Sequence, residues 1–246
     1  MCTLVLLRDP AAAWPLLLAA NRDELRSRPA RPPGRHWADR PHVRAGLDLE
    51  GGGTWLGLND DGVVAAVLNR RGTLGPEPGK RSRGEIVLEA LDHAQARDAA
   101  QALRALDPAA WRPFNLIVAD ARDAFWVRHA GDGRIRVQPI EAGMHMIEAG
   151  ELDDPASARI GRFLPQFRFV PVPDPSAGDW SGWQTLLSER MSPSGDPRDA
   201  MCIVTDGEYG TVSSTLVALP PHVTETPAYL HAEGRPGEVD FAAVPE

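Results

Sequence analysis

Short apolar runs broken by turn residues recur along this chain, and that alternation most limits what it can fold into. Residues 3–7 and 14–20 are apolar, β-prone runs on either side of Asp9–Pro10, which reads as a hairpin. Beyond Gly51-Gly52-Gly53 come the runs 54–58 and 63–69, with Asn59-Asp60-Asp61-Gly62 between them. Asp–Gly between two β-prone runs is a hairpin signal. Residues 114–119, 124–129 and 135–139 then read as a meander, 144–149 as a further strand, and 201–205 with 211–219 as a last pair. Connections this short join strands that pair with their sequence neighbours, so the sheets are expected to be antiparallel.

Helical signals come in groups between the strands. Ser82-Arg83-Gly84-Glu85 has capping-box spacing, in which the serine oxygen accepts from the third helical N–H and the glutamate reaches back. Ile86, Leu88, Ala90 and Leu91 follow as an apolar face. A second helix is expected over about 97–106, stopped by Asp107–Pro108, and further helices over 156–163 and 180–191. From Leu25 to Gly46 the periodicity disappears among Pro29, Pro32, Pro33 and Pro41, which reads as one long loop. Strands paired locally and helices grouped between them define an α+β architecture, antiparallel sheets with helices layered on them. No internal repeat and no dividing linker appears in the 246 residues.

Two cysteines, Cys2 and Cys202, exclude a disulfide scaffold and a four-cysteine zinc site. A net charge of −8 weighs against a general nucleic-acid binder. Lys80 is the single lysine among 26 basic residues, and eight arginines crowd the first 45 positions. That crowding reads either as a basic face for an anionic ligand or as arginines solvating a proline-rich loop. The apolar stretch 11–20 is far short of the ~20 residues that span a bilayer. Asn21-Arg22-Asp23-Glu24 follows it at once without a small-residue cleavage site, so no signal peptide is expected and the expected setting is cytoplasmic.

The chain begins Met1-Cys2-Thr3. Methionine is commonly removed before a small residue, and Cys2 would then carry a thiol and a free α-amine together. The amine, with an ordinary pKa near ~8, serves as base for the thiol without a histidine. Asp23, at the end of the second apolar run, is placed to bring a carboxylate to that amine, as the acid of a triad orients its base. Packing of Cys2 in the first strand, and a solvated strand end at 21–24, are the plainer readings. Cys202 reads as a core thiol. His36 and His42 are candidate metal or haem ligands in the arginine-rich loop, though scattered, and His145 has too few partners for a metal site. Trp37 and Trp55 are candidate pocket walls, although packing beside the glycine run is the plainer reading of Trp55. Gly51-Gly52-Gly53 lacks the strand-to-helix context of a phosphate loop.

Beyond these readings, Met1-Cys2 followed by Leu-Leu-Ala-Ala-Asn-Arg-Asp-Glu at 17–24, Gly52-Gly53-Thr54-Trp55-Leu56-Gly57, Ser82-Arg83-Gly84-Glu85, Phe114-Asn115-Leu116-Ile117 and Tyr209-Gly210-Thr211 resembles the NRDE family, also called the transport-and-Golgi-organisation family. The blocks run in order along nearly the whole chain. The resemblance implies one domain over 1–246 with an N-terminal-nucleophile hydrolase-like fold, a four-layer αββα sandwich of two antiparallel sheets flanked by helices. Similarity to the choloylglycine hydrolase and penicillin V acylase group implies Cys2 as nucleophile, Asp23 as holder of its amine and Asn69 at the oxyanion, with Asn21, Arg22, Glu24 and Trp55 lining the substrate site. No metal or cofactor is implied. Three positions depart from the acylase pattern: Ala20 and Val212 stand where arginines are usual, and Ala149 where an asparagine is. The implied activity is hydrolysis of a small amide. The alternative is a non-enzymatic carrier of haem or a lipid or acyl-CoA ligand, so the expected partner is an anionic or hydrophobic small molecule.

Overall fold

The computed structural model describes residues 2–246. Met1, and with it the expectation of its removal, lies outside the described residues. Contacts divide the chain into two compact units, each an antiparallel sheet with its own helices.

The first unit gathers the N-terminal stretch through Ser27, Ala142–Ala218 and Pro227–Val244. Its strands are β1 (Thr3–Arg8), β2 (Leu16–Leu25), β10 (Gly143–Ile147), β11 (Tyr209–Leu219), β12 (Ala228–Ala232) and β13 (Ala242–Ala243), in the order β10-β1-β2-β11-β12-β13. The expected N-terminal hairpin is present, with Thr3 opposite Asn21 and Leu7 opposite Leu17. Helices α3 (Ala158–Phe169) and α4 (Ser181–Leu187) pack on one face, where Val5, Leu17, Ala19 and Met146 meet Phe163, Phe167 and Trp183. Because strand side chains alternate, every odd residue of β2 from Leu17 to Asp23 points toward these helices.

The second unit spans Arg28–Glu141 with Leu219–Thr226 and the last two residues. Its sheet runs in sequence order through β3 (Ala30–Gly34), β4 (Val43–Asp48), β5 (Leu56–Asn59), β6 (Val64–Asn69), β7 (Phe114–Ala119), β8 (Ala124–His129) and β9 (Ile135–Pro139). Helices α1 (Arg83–Leu91) and α2 (Ala96–Arg104) cover one face through Ile86, Leu91, Ala99 and Leu103. Ser82 caps α1 and its N–H donates to Glu85 Oε1 at 3.1 Å, the reach-back read from the spacing. Asn59 organises the β5–β6 turn: its Oδ1 accepts from Val63 N–H at 2.8 Å, while its Nδ2 donates to the Leu91 and His93 carbonyls at the end of α1. Gly62 takes φ +83° in that turn, the left-handed conformation for which Asp–Gly is suited.

Three expectations need correction. The proline-rich stretch 25–46 is not one loop, since it contains β3 and the start of β4. Pro32 and Pro33 lie on β3, an edge strand, where a missing N–H costs no ladder bond on the open side. Residues 201–205 form no strand. Ile203 N–H donates to the Thr211 hydroxyl and Cys202 N–H to the Glu189 carbonyl, so side-chain and loop partners replace a ladder, and β11 pairs with β12 instead. The helix expected over 156–163 runs on through Pro165 to Phe169.

Candidate active site

Just beyond the last β1–β2 pair, Thr3 opposite Asn21, the Cys2 sulfur meets the backbone of Asp23. The Cys2 thiol donates to the Asp23 carbonyl at 3.7 Å, and Asp23 N–H donates to Cys2 Sγ at 3.4 Å. Cys2 is half-buried, and burial, followed by the negative charge of Asp23, pushes its thiol pKa up. The resting group is therefore a thiol.

Asp23 is 2% exposed and points with Ala19 and Asn21 to the helix side. There its Oδ1 accepts from the Thr211 hydroxyl of β11 at 2.6 Å. Its Oδ2 lies 3.6 Å from the guanidinium of Arg159, a fully buried residue in the first turn of α3. Arg159 also donates to Thr3 Oγ1 and to the Arg198 carbonyl, and stands 3.9 Å from Glu148. Tyr209 closes the other side, its hydroxyl donating to the Asp23 carbonyl at 3.3 Å. Burial, then the charges of Cys2 and Asp23, pushes the Tyr209 phenol up, so it stays a donor. Sequence reading missed Arg159, Glu148, Thr211 and Tyr209 as site residues. Tyr209-Gly210-Thr211 was legible as a block but not as a contact, and Arg159 had no local signal among 25 arginines.

Asn21 is 1% exposed, with its amide donating to the Leu187 and Met201 carbonyls at 3.0 and 2.8 Å and its Oδ1 accepting from Ser214 at 2.5 Å. It cross-links β2, β11 and the end of α4. Arg22 alternates to the opposite face, beside the field of His231. Glu24 accepts from the neighbouring Leu25 N–H. Asn69 and Trp55 belong to the second unit. Asn69 ends β6 opposite Phe114, and the Trp55 ring lies against Gly46, where a Cβ would overlap it.

Elsewhere three of the eight N-terminal arginines form ion pairs. Arg28 pairs with Asp48 and Glu50, Arg35 with Asp60, and Arg40 with Asp92. His36 bonds the Pro32 carbonyl and His42 sits 3.8 Å from Asp92. Cys202 is fully buried. No metal-binding group of three or more His, Cys, Asp or Glu occurs among the described residues. No helix among them is long and apolar enough to cross a membrane.

Two antiparallel sheets with their helices are shared with solved structures. The Caenorhabditis elegans ortholog of N-acylethanolamine-hydrolyzing acid amidase matches with a TM-score of 0.63 at 12% identity, over 99% of this chain and 100% of that one. A mutant of the conjugated bile acid hydrolase from Clostridium perfringens matches at 0.56 and 12% identity, over 99% and 92%. The fold is that of the N-terminal-nucleophile hydrolases. The family model described as Transport and Golgi organisation 2 matches residues 1–162, and the chain belongs to that family. The Bos taurus homolog of Transport and Golgi organization protein 2 is 37% identical over 131 residues, 49% of this chain and 45% of that protein. The Homo sapiens homolog is 36% identical over 135 residues, 50% and 47%. The matched region thus spans about half the length of these relatives.

Proposed function

We propose that the chain is a cysteine N-terminal-nucleophile hydrolase acting on the C–N bond of a small amide, a single domain over 1–246 with Cys2 exposed at the N-terminus by removal of Met1. The observation that carries the reading is the Cys2–Asp23 contact, with Asp23 anchored from behind by Thr211. The α-amine of Cys2 takes the thiol proton as sulfur attacks the amide carbon. Asp23 orients that amine. The family resemblance assigns the oxyanion of the tetrahedral intermediate to Asn69, a role typically worth ~3 kcal/mol. Collapse expels the amine leaving group, which takes the proton back from the ammonium. Water, deprotonated by the same amine, then hydrolyses the thioester. Arg22 and Glu24 shape the substrate site and Asn21 holds its frame, while Trp55 enters only through the family resemblance.

Intact-mass measurement and turnover of a panel of acyl p-nitroanilides test this. Loss of Met1, hydrolysis, and its disappearance in Cys2→Ala are expected. An N-terminus retaining Met1, or hydrolysis surviving in Cys2→Ala, refutes the mechanism. Saturable binding of haem or an acyl-CoA without turnover would favour the carrier reading.

A further inference from the structure

We propose that Arg159 is the positioning residue of Cys2, a cation supplied by the first turn of α3 that holds both the residue after the nucleophile and the carboxylate beside it. The proposal rests on the reading of Cys2 as the reactive group and extends it to a residue 157 positions away.

A fully buried guanidinium is costly unless its charge and its five N–H groups are engaged. Two of the groups that Arg159 engages belong to residues next to Cys2. One is Thr3 Oγ1, a single peptide from the nucleophile. The other is Asp23 Oδ2 at 3.6 Å, on the residue whose N–H meets the sulfur. The guanidinium is itself held. It donates to the Arg198 carbonyl and faces Glu148 at 3.9 Å. Ser157 ties Glu148 to the helix start, since its hydroxyl donates to Glu148 Oε1 at 2.7 Å and accepts from Ile160 N–H at 3.1 Å as the α3 N-cap. The start of α3, the residue after β10, and the adjoining ends of β1 and β2 are thus joined through one side chain. The charged and titratable groups around Cys2 are Asp23 and Arg22 from β2, Tyr209 from β11 with Glu24 near it, and behind Asp23 the pair Arg159 and Glu148.

The direction of the coupling follows from Coulomb's law. Removing a cation raises the proton affinity of a nearby thiol, and removing an anion lowers it. The test is the rate of Cys2 alkylation by iodoacetamide in the full chain, read by peptide mass from about pH 6 to 10. Arg159→Met is expected to raise the midpoint by about one pH unit and slow alkylation at neutral pH about tenfold. Arg159→Lys should recover most of that shift, and Glu148→Gln should move the midpoint the opposite way. A midpoint unmoved in both Arg159→Met and Glu148→Gln overturns the proposal and leaves Arg159 with packing alone. If Arg159→Met does not fold, Glu148→Gln decides: a downward shift supports the proposal and an unmoved midpoint ends it. The assay needs no substrate. Shifted midpoints without hydrolysis would remove the proposed activity and keep the coupling. Hydrolysis with unmoved midpoints would do the reverse.

Discussion

His231 should make this fold measurably acid-sensitive. Its ring is buried on β12, with Nδ1 3.0 Å from the Thr215 hydroxyl on the facing strand. Burial, then the positive charge of Arg22, lowers its pKa from 6.5 to about 4. The native state thus refuses a proton that the unfolded chain accepts. Stability from this group is fully present above pH 6.5, falls as the pH drops through the window to about 4, and then levels off. A gap of about 2.5 pH units corresponds to about 3 kcal/mol, lost at up to about 1.4 kcal/mol per pH unit. Urea unfolding of wild type and His231→Gln at matched pH isolates this from the carboxylates titrating in the same range. The stability difference between the two proteins should change by about 3 kcal/mol between pH 7 and pH 4. Arg22→Gln should raise the His231 titration midpoint, yet leave it below 6.5, because burial is the larger cause. An NMR midpoint near 6.5 in wild type, or a stability difference constant with pH, would refute the reasoning.

Two further outcomes are expected. Thr211→Val deprives Asp23 Oδ1 and Ile203 N–H of one buried hydroxyl, a loss of about 3 kcal/mol or roughly 6–12 °C in Tm. A melting curve within about 2 °C of wild type would show that this hydroxyl does not hold the site together. Gly53→Ala pushes a methyl into the backbone at Gly84 and to within 2.8 Å of Glu85 N at the start of α1, while Gly52→Ala, at φ +69°, meets open space. The first should cost about 3 kcal/mol or more and the second about 1 kcal/mol, so equal chemical-denaturation midpoints would contradict the close approach.

Local chemistry reaches as far as neighbouring residues. The hairpins around Asp9–Pro10 and Asp61–Gly62 and the helix opening at Ser82 were legible for that reason. The stretch 25–46 was misread because proline argues against a strand only where its missing N–H matters, and β3 is at an edge. Residues 201–205 look like a strand by composition, but a strand needs a partner, and the Thr211 hydroxyl took the N–H that a partner would have used.

At the candidate site, the sequence by itself named Cys2 and Asp23 as a pair. Cys2 and Asp23 lie at the open end of one hairpin, where the Cys2 sulfur meets the Asp23 backbone. Only the tertiary structure decided what stands behind them. Thr211 and Tyr209 arrive from β11, Arg159 from α3 and Glu148 from the end of β10, each more than 120 positions from Asp23. No periodicity marks them, because a buried arginine and a solvated one are the same letter. What separates them is which carboxylates the packing of a helix on a sheet sets within reach.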